Sequence, residues 1–339
     1  MLLQIEKRRR DLAHIETDVQ AAKLKQSNAD EEMKAAKAVL SKLRNEASKL
    51  EVHHKKMKKK QQRVEKQVQK AENVENAKSE KEKADASIKL YSFNEYKSSQ
   101  LPLDREIPDI RIKECKSLEW DIAAMPKTSI IICFVDESWS ALLRSVWSVL
   151  NRSPHELITE ILLIDDGSSA SWLGGVGVPK LLDYIANEFP KDVVIKVHSS
   201  PKRLGLIRAR LFGAGFATGE VLTFLDSHIE CNQHWLEPVL DVIGKSRTTV
   251  VTPVIDTIDW HNMEHAAFGQ RIPAVGTFAW TMDFSWKGGV IRPGDLYTDP
   301  VDSPTMAGGL FSIDAKYFQD IGTYDQTMDG RSKIPLSNR

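Results

Sequence analysis

Asp226, Ser227 and His228 follow directly on Val221–Leu225, a run of apolar, β-branched and aromatic residues with little polar alternation. Such a run is the pattern of a strand buried on both faces inside a parallel sheet. Residues two apart on a strand share a face, so the Asp226 carboxylate and the His228 imidazole converge just beyond its carboxyl end. One carboxylate oxygen and one imidazole nitrogen make a partial shell for a divalent ion such as Mn2+. Asp165-Asp166-Gly167-Ser168 closes a second apolar run at 160–164. Carboxylates there can accept hydrogen bonds from a base imide or a ribose hydroxyl. Arg203 and Gly205 stand just before a helical stretch, a setting suited to an anion held against backbone N–H groups. Glu137 follows a third apolar run at 129–134. Each feature alone has an ordinary structural explanation, since acidic turn residues commonly cap helices. Their convergence carries more weight, because a parallel sheet gathers its carboxyl-terminal strand ends on one edge, where open α/β sheets bind ligands.

The elements that must position these residues are legible between them. An amphipathic helix is expected over 139–151, with Leu142, Leu143, Val146, Val149 and Leu150 turned inward. A helix near 178–188, a strand at 193–198 and a helix over 207–217, which carries Arg208 and Arg210, complete the alternation up to 221. Strands alternating with helices at this spacing predict a doubly wound α/β sheet. Cys133 lies within the first strand and reads as a small core residue.

Residues 1–90 have a different character: no Gly, no Pro and no Trp, with Lys, Glu, Ala and Gln dominant. Placing Ile5 at heptad position a puts Leu12, Val19, Met33, Leu40 and Val68 on the same seam, interrupted by Gln26, His54 and Gln61. The matching d seam holds Ile15, Leu43, Leu50, Met57 and Val64 with several alanines, and Arg8 interrupts it near its start. This is a coiled-coil signature sustained over about ten heptads, and it predicts self-association. His53-His54 and the lysine-rich run at 55–60 lack interleaved aromatics and read as a solvated basic face. From Tyr91 to Trp120 aromatics appear and Pro102 and Pro108 punctuate, the pattern of an extended segment clasping a domain surface.

The whole-chain totals narrow the function classes. Lys and Arg balance Asp and Glu at 47 each, which gives no general attraction for nucleic acid. The balance hides a split, about +8 over residues 1–90 and about −8 over the remainder. Three cysteines are too few for a disulfide framework. No window of 18 apolar residues marks a transmembrane span, and the N-terminus lacks a signal-peptide core.

The strings LDREIPDIRIKECK, SIIICFVDESWSALLRSVWSVLNRSP, EILLIDDGS, GLIRARLFGA, ATGEVLTFLDSHIECNQHWLEP and SPTMAGGLFSIDAKYFQDIGTYD occur in this order over about residues 92–329. In order and spacing the chain resembles the polypeptide N-acetylgalactosaminyltransferases, GT-A glycosyltransferases of the Golgi lumen. The resemblance implies an α/β, Rossmann-like nucleotide-diphospho-sugar transferase domain at 128–329, preceded by a stem-like helix at 1–90 and a clasping linker at 91–127. It implies retaining, Mn2+-dependent transfer of N-acetylgalactosamine (GalNAc) from UDP-GalNAc to Ser or Thr hydroxyls of a polypeptide. Carried over by position, Asp226 and His228 match the metal motif, with Ser227 at its centre. Asp165 matches the acid that addresses the uracil or ribose, and Arg203, with Gly205 beyond it, the arginine near the nucleotide. Gly308 and Gly309 match a glycine pair that lets the sugar approach backbone. Glu137 matches the acid after the first strand, where the family usually shows His-Asn-Glu and this chain has Val135-Asp136-Glu137.

The pattern breaks after Asp329. Family members continue into a Trp-Gly-Gly-Glu-Asn motif, a later histidine ligand and a lectin domain, whereas this chain ends in RSKIPLSNR. The expectation is a C-terminally truncated member with an unstructured tail at 330–339, Cys115 unpaired, no lectin domain and no residue assigned a catalytic role. The alternative is a non-catalytic UDP-binding protein or coiled-coil oligomerising adaptor.

Overall fold

The computed structural model describes residues 2–173, 175–266, 274–281, 283–289, 292 and 294–327. The tail expected at 330–339 lies outside them. The chain divides into two compact units, Met1–Glu80 and Lys81–Arg339.

The first unit is helical. Helix α1 (Leu2–Tyr91) runs without interruption, as a segment free of Gly and Pro permits. Over residues 5–68 its large apolar side chains are exposed: Val19 is 46% exposed, Leu40 52% and Leu50 69%.

In the second unit, two four-residue helices, α2 (Glu95–Ser98) and α3 (Lys113–Lys116), interrupt the segment that the sequence suggests is extended. Asn94 caps α2 by accepting from the Lys97 backbone N–H at 2.9 Å. The segment nonetheless clasps the sheet unit through buried arginines. Arg144, donated by the helix behind the first strand, reaches the Ser98 carbonyl at 2.7 Å and the Ser98 hydroxyl at 2.9 Å. Arg105 of the segment forms a bidentate pair with Glu230 at 2.6 and 2.7 Å. Arg152 donates to the carbonyls of Cys231 and Arg105 at 2.8 and 3.0 Å. All three cysteines are free thiols.

The sheet is built from β1 (Thr128–Phe134), β2 (Ile158–Asp165), β3 (Ile195–Ser199) and β4 (Val221–Leu225), with two later strands described below. Helices α4 (Trp139–Arg152), α5 (Pro179–Asn187) and α6 (Leu206–Ala214) connect them in turn, and α7 (Leu236–Lys245) follows β4. The short strands β5 (Val250–Val251), β6 (Thr257–Ile258) and β7 (His265–Ala266) come next. A hairpin of β8 (Ala274–Phe278) and β9 (Phe284–Gly288) precedes β10 (Phe311–Asp314) and α8 (Ala315–Asp320). The strand order is β3-β2-β1-β4-β10-β5. The first four strands are mutually parallel, whereas β10 runs antiparallel to both β4 and β5.

Alternation along the strands feeds two cores. Ile130, Ile132, Ile161 and Leu163 pack with Leu142, Val146 and Val149 of α4 and Leu181 of α5 on one face. Ile131, Leu162, Ile164 and Phe224 pack with Ala209 of α6 and Phe318 of α8 on the other. Each such fully buried side chain is worth about 1.5–3 kcal/mol. This two-sided burial is why the strands read as continuous apolar runs. The winding then fixes the ligand edge. The chain moves outward from β1 to β2 to β3 with α4 and α5 on one face, then crosses back under α6 on the opposite face to β4, beside β1. The direction reverses between β1 and β4, and open α/β sheets place their ligand crevice at that reversal, outside the strand carboxyl ends.

Candidate active site at the carboxyl ends of β1 and β4

Ile132 of β1 pairs with Leu225 of β4, so the turns that leave these strands are neighbours. Leaving β1, Asp136 adopts a left-handed φ of 46°. Its carboxylate accepts from the backbone N–H groups of Ser169 and Ala170 at 2.7 and 2.8 Å, which repays the cost of that conformation. The turn thereby delivers Glu137 to the end of β4. The Ser227 hydroxyl donates to Glu137 at 2.7 Å, and His228 Nδ1 lies 3.0 Å from the same carboxylate oxygen. Burial pushes the Glu137 carboxyl up, but the hydrogen bonds from His228, Ser227 and the Ser138 N–H outweigh it and hold it below the usual range. The hydrogen bond to Glu137 in turn raises His228 above its ordinary value of 6.5, against the opposing effect of burial.

This pairing orients the imidazole. With Nδ1–H on a carboxylate, the neutral ring presents its lone pair at Nε2, the arrangement by which carboxylates commonly support a histidine metal ligand. The His228 side chain is 60% exposed and the Asp226 side chain 35% exposed, so both remain open to an incoming ion. One carboxylate and one imidazole nitrogen fit a first-row divalent cation such as Mn2+. Among the described residues no group of three or more His, Cys, Asp or Glu side chains is placed to hold a metal.

The glycine pair borders this motif. A Cβ on Gly309 would lie 2.6 Å from Asp226 Oδ2, so any larger residue there displaces the Asp226 carboxylate, while a Cβ on Gly308 would meet nothing within 4 Å. Gly308 thus opens toward free space and Gly309 lies against the motif. Arg210, buried on α6, holds the pair in place. Its guanidinium donates to the Gly308 carbonyl, to the Gly309 carbonyl at 3.1 Å, and to Asp226 Oδ1 at 3.5 Å. The charge lies beside the stacked Phe224–Phe311 pair, 5.9 Å from each ring centroid. By sequence, Arg210 is placed on this helix with no role assigned to it. Its signal was an Arg-x-Arg spacing, which on a helix sends one side chain outward and the other toward the sheet.

Asp165 and Asp166 divide their work. Asp165 is 1% exposed and accepts from the Ser168 N–H at 2.8 Å, closing its own turn. Asp166 accepts from the N–H groups of Leu204 and Gly205 at 2.6 and 3.0 Å and pairs with Arg203 at 3.1 Å. It thus ties the start of α6 to the end of β2, and Gly205 takes the φ of +84° this requires. Arg203 keeps a 56% exposed side chain at the rim. Asp226, Ser227, His228, Glu137, Gly308 and Gly309 form one cluster, and Asp165, Arg203 and Gly205 border the β2 end of the same sheet edge. Asp166, which by sequence is offered with Asp165 to a base or ribose, instead spends its carboxylate on linking Arg203 and Gly205 to the sheet.

The model of the Glycosyl transferase family 2 matches residues 129–318, which takes in every residue of this edge. The chain is 45% identical over 258 residues to polypeptide N-acetylgalactosaminyltransferase 4 of Mus musculus, covering 74% of this chain and 43% of that protein. It is 47% identical over 265 residues to polypeptide N-acetylgalactosaminyltransferase 5 of Mus musculus, covering 76% of this chain and 27% of that protein. The crystal structure of GalNAc-T7 with UDP, GalNAc and Mn2+ superposes with a TM-score of 0.67 at 36% identity, covering 73% of this chain and 45% of that one. The chain thus spans less than half the length of these relatives. The fold they share with it is the GT-A fold.

Proposed function

The chain belongs to glycosyl transferase family 2 and, within it, to the polypeptide N-acetylgalactosaminyltransferases, and from this premise we propose that the β1–β4 edge binds UDP-GalNAc for transfer of GalNAc to Ser or Thr hydroxyls of a polypeptide. The observation that carries the reading is the pairing of His228 with Glu137 at 3.0 Å beside Asp226, at the point where the sheet reverses its winding. Asp226 and the Nε2 of His228 would hold Mn2+. When bound, the cation supplies positive charge that offsets the developing charge of the UDP diphosphate as it leaves.

The remaining residues orient and shape. Glu137 and Ser227 fix the His228 ring. Arg210 holds the Gly308–Gly309 backbone against Asp226, leaving the side-chain-free Gly308 as the wall a donor sugar can approach. Asp165 and Arg203 would address the uridine from the β2 end, with Gly205 leaving the helix start uncovered. Residues 1–90 would serve as a helical stem, 91–127 as the clasp and 128–329 as the transferase domain, and the working compartment would be the Golgi lumen. No described helix is long and apolar enough to cross a membrane. Self-association through residues 5–71 is part of the same reading.

Incubation of the chain with UDP-GalNAc, Mn2+ and a Ser/Thr-rich peptide tests it. Peptide mass gain of one N-acetylhexosamine, lost without Mn2+, is the expected result; UDP binding without transfer would favour a nucleotide-binding, non-catalytic protein. That second reading draws on the presence of only two metal-ligand candidates, Asp226 and His228, at this edge among the described residues.

A further inference from the structure

Over residues 5–68 helix α1 carries a regular row of exposed apolar side chains. Of the fourteen large apolar side chains exposed over residues 5–68, eleven fall on the two seam positions of the heptad frame, and the exceptions are Leu24, Val39 and Val52. A helix draws most of its stability in water from packing an apolar face, so a seam this regular requires a partner helix. We infer that the partner is a second copy of this chain, paired parallel and in register over residues 5–68. The inference deepens the self-association stated above and rests on it.

Charge and polarity argue for that occupant and that orientation. In a parallel, in-register pair, each residue flanking the seam on one side meets the residue five positions later on the other copy. Asp18 then meets Lys23 of the second copy, Lys25 meets Asp30, Glu32 meets Lys37, and Lys60 meets Glu65. Against these four attractive contacts stand two repulsive ones, Asp11 with Glu16 and Glu46 with Glu51. The polar interruptions agree. Gln26 and Gln61 sit on the a seam, where a parallel pair sets each amide against its own counterpart and lets one donate to the other. An antiparallel pair would bring the a seam against the d seam, whose 5–68 stretch is apolar apart from Arg8, and strand the Gln26 amide against hydrocarbon. Polar residues at single a positions are a recognised device for setting register.

Sedimentation equilibrium of the full chain should give a dimer. The chain carrying Leu43→Cys, a seam substitution, should form a 43–43 disulfide on mild oxidation, identified by peptide mass. Lys42→Cys, one position off the seam, should not. Glu32→Lys should weaken dimerisation about tenfold, since two symmetry-related ion pairs turn repulsive, and Glu32→Lys with Lys37→Glu should restore it. A monomer at tens of micromolar overturns the inference together with self-association. A dimer in which Leu43→Cys chains link to Gln26→Cys chains, and not to themselves, overturns the parallel register alone.

Discussion

At the scale of residues, the site rests on Glu137 acting through His228 and on the fit of Gly309 against Asp226. The first makes a titration prediction. In metal-free protein the His228 imidazole should titrate above 6.5, its ordinary value, because the hydrogen bond to Glu137 favours the charged ring. Glu137→Gln should bring it back toward that value, as read by NMR of the ring protons. The sign for stability follows from linkage: a raised folded pKa contributes stability that is fully present below about 6.5 and is lost as pH rises through the folded value. A His228 that titrates alike in both proteins would show that the two side chains do not interact in solution. The second predicts a steric result. Gly309→Ala places a methyl 2.6 Å from the Asp226 carboxylate, which must swing aside, so Mn2+-dependent UDP binding should weaken while thermal stability falls by less than about 1 kcal/mol. Unchanged binding would mean the loop is free to move aside. The Asp-x-His spacing was legible in the sequence because strand periodicity alone puts both residues on one side. Arg210 was not, since nothing in its neighbours says that a helix arginine will be buried beneath two carbonyls 98 and 99 residues later in the chain.

At the scale of elements, parallel strands buried on both faces announce themselves, and β4 lies over the five residues that the apolar run marks. The edges of β2, β3 and α6 shifted by one to three residues, because helix ends and strand ends are set by caps and pairing partners that lie elsewhere in the chain. Strand β10 was legible only as part of a family-like string. Its antiparallel place beside β4 depends on Phe311 stacking on Phe224 at 4.8 Å, a contact that no local pattern encodes. The clasp is another long-range feature. Sequence suggested a segment lying on the domain surface, and the structure supplies the fastening in the Arg105–Glu230 pair. Glu230 lies two residues beyond His228, so this pair tethers the segment immediately next to the metal motif. Glu230→Ala leaves Arg105, whose side chain is 14% exposed, without its carboxylate. Breaking a pair this buried should cost about 3–5 kcal/mol, measurable by urea denaturation. A cost below about 1 kcal/mol would place the pair among ordinary surface ion pairs.

At the scale of the whole chain, composition separated a basic helical region from an acidic α/β unit, and the structure divides the chain at Glu80 and Lys81. A zero net charge gave no hint of this, since the opposing charges of the two parts cancel. In the proposed function, Asp226 and His228, set by Glu137 at the winding reversal, hold a cation that in turn holds UDP. Calorimetric titration of UDP into the full chain, with and without Mn2+, tests this most directly when repeated on Asp226→Asn. In the unaltered chain, UDP binding that requires Mn2+ is expected. In Asp226→Asn that binding should be lost with a melting temperature changed by only a few degrees, because the carboxylate sits at the sheet edge and is 35% exposed. UDP binding that ignores Mn2+, or that survives Asp226→Asn undiminished, would contradict it.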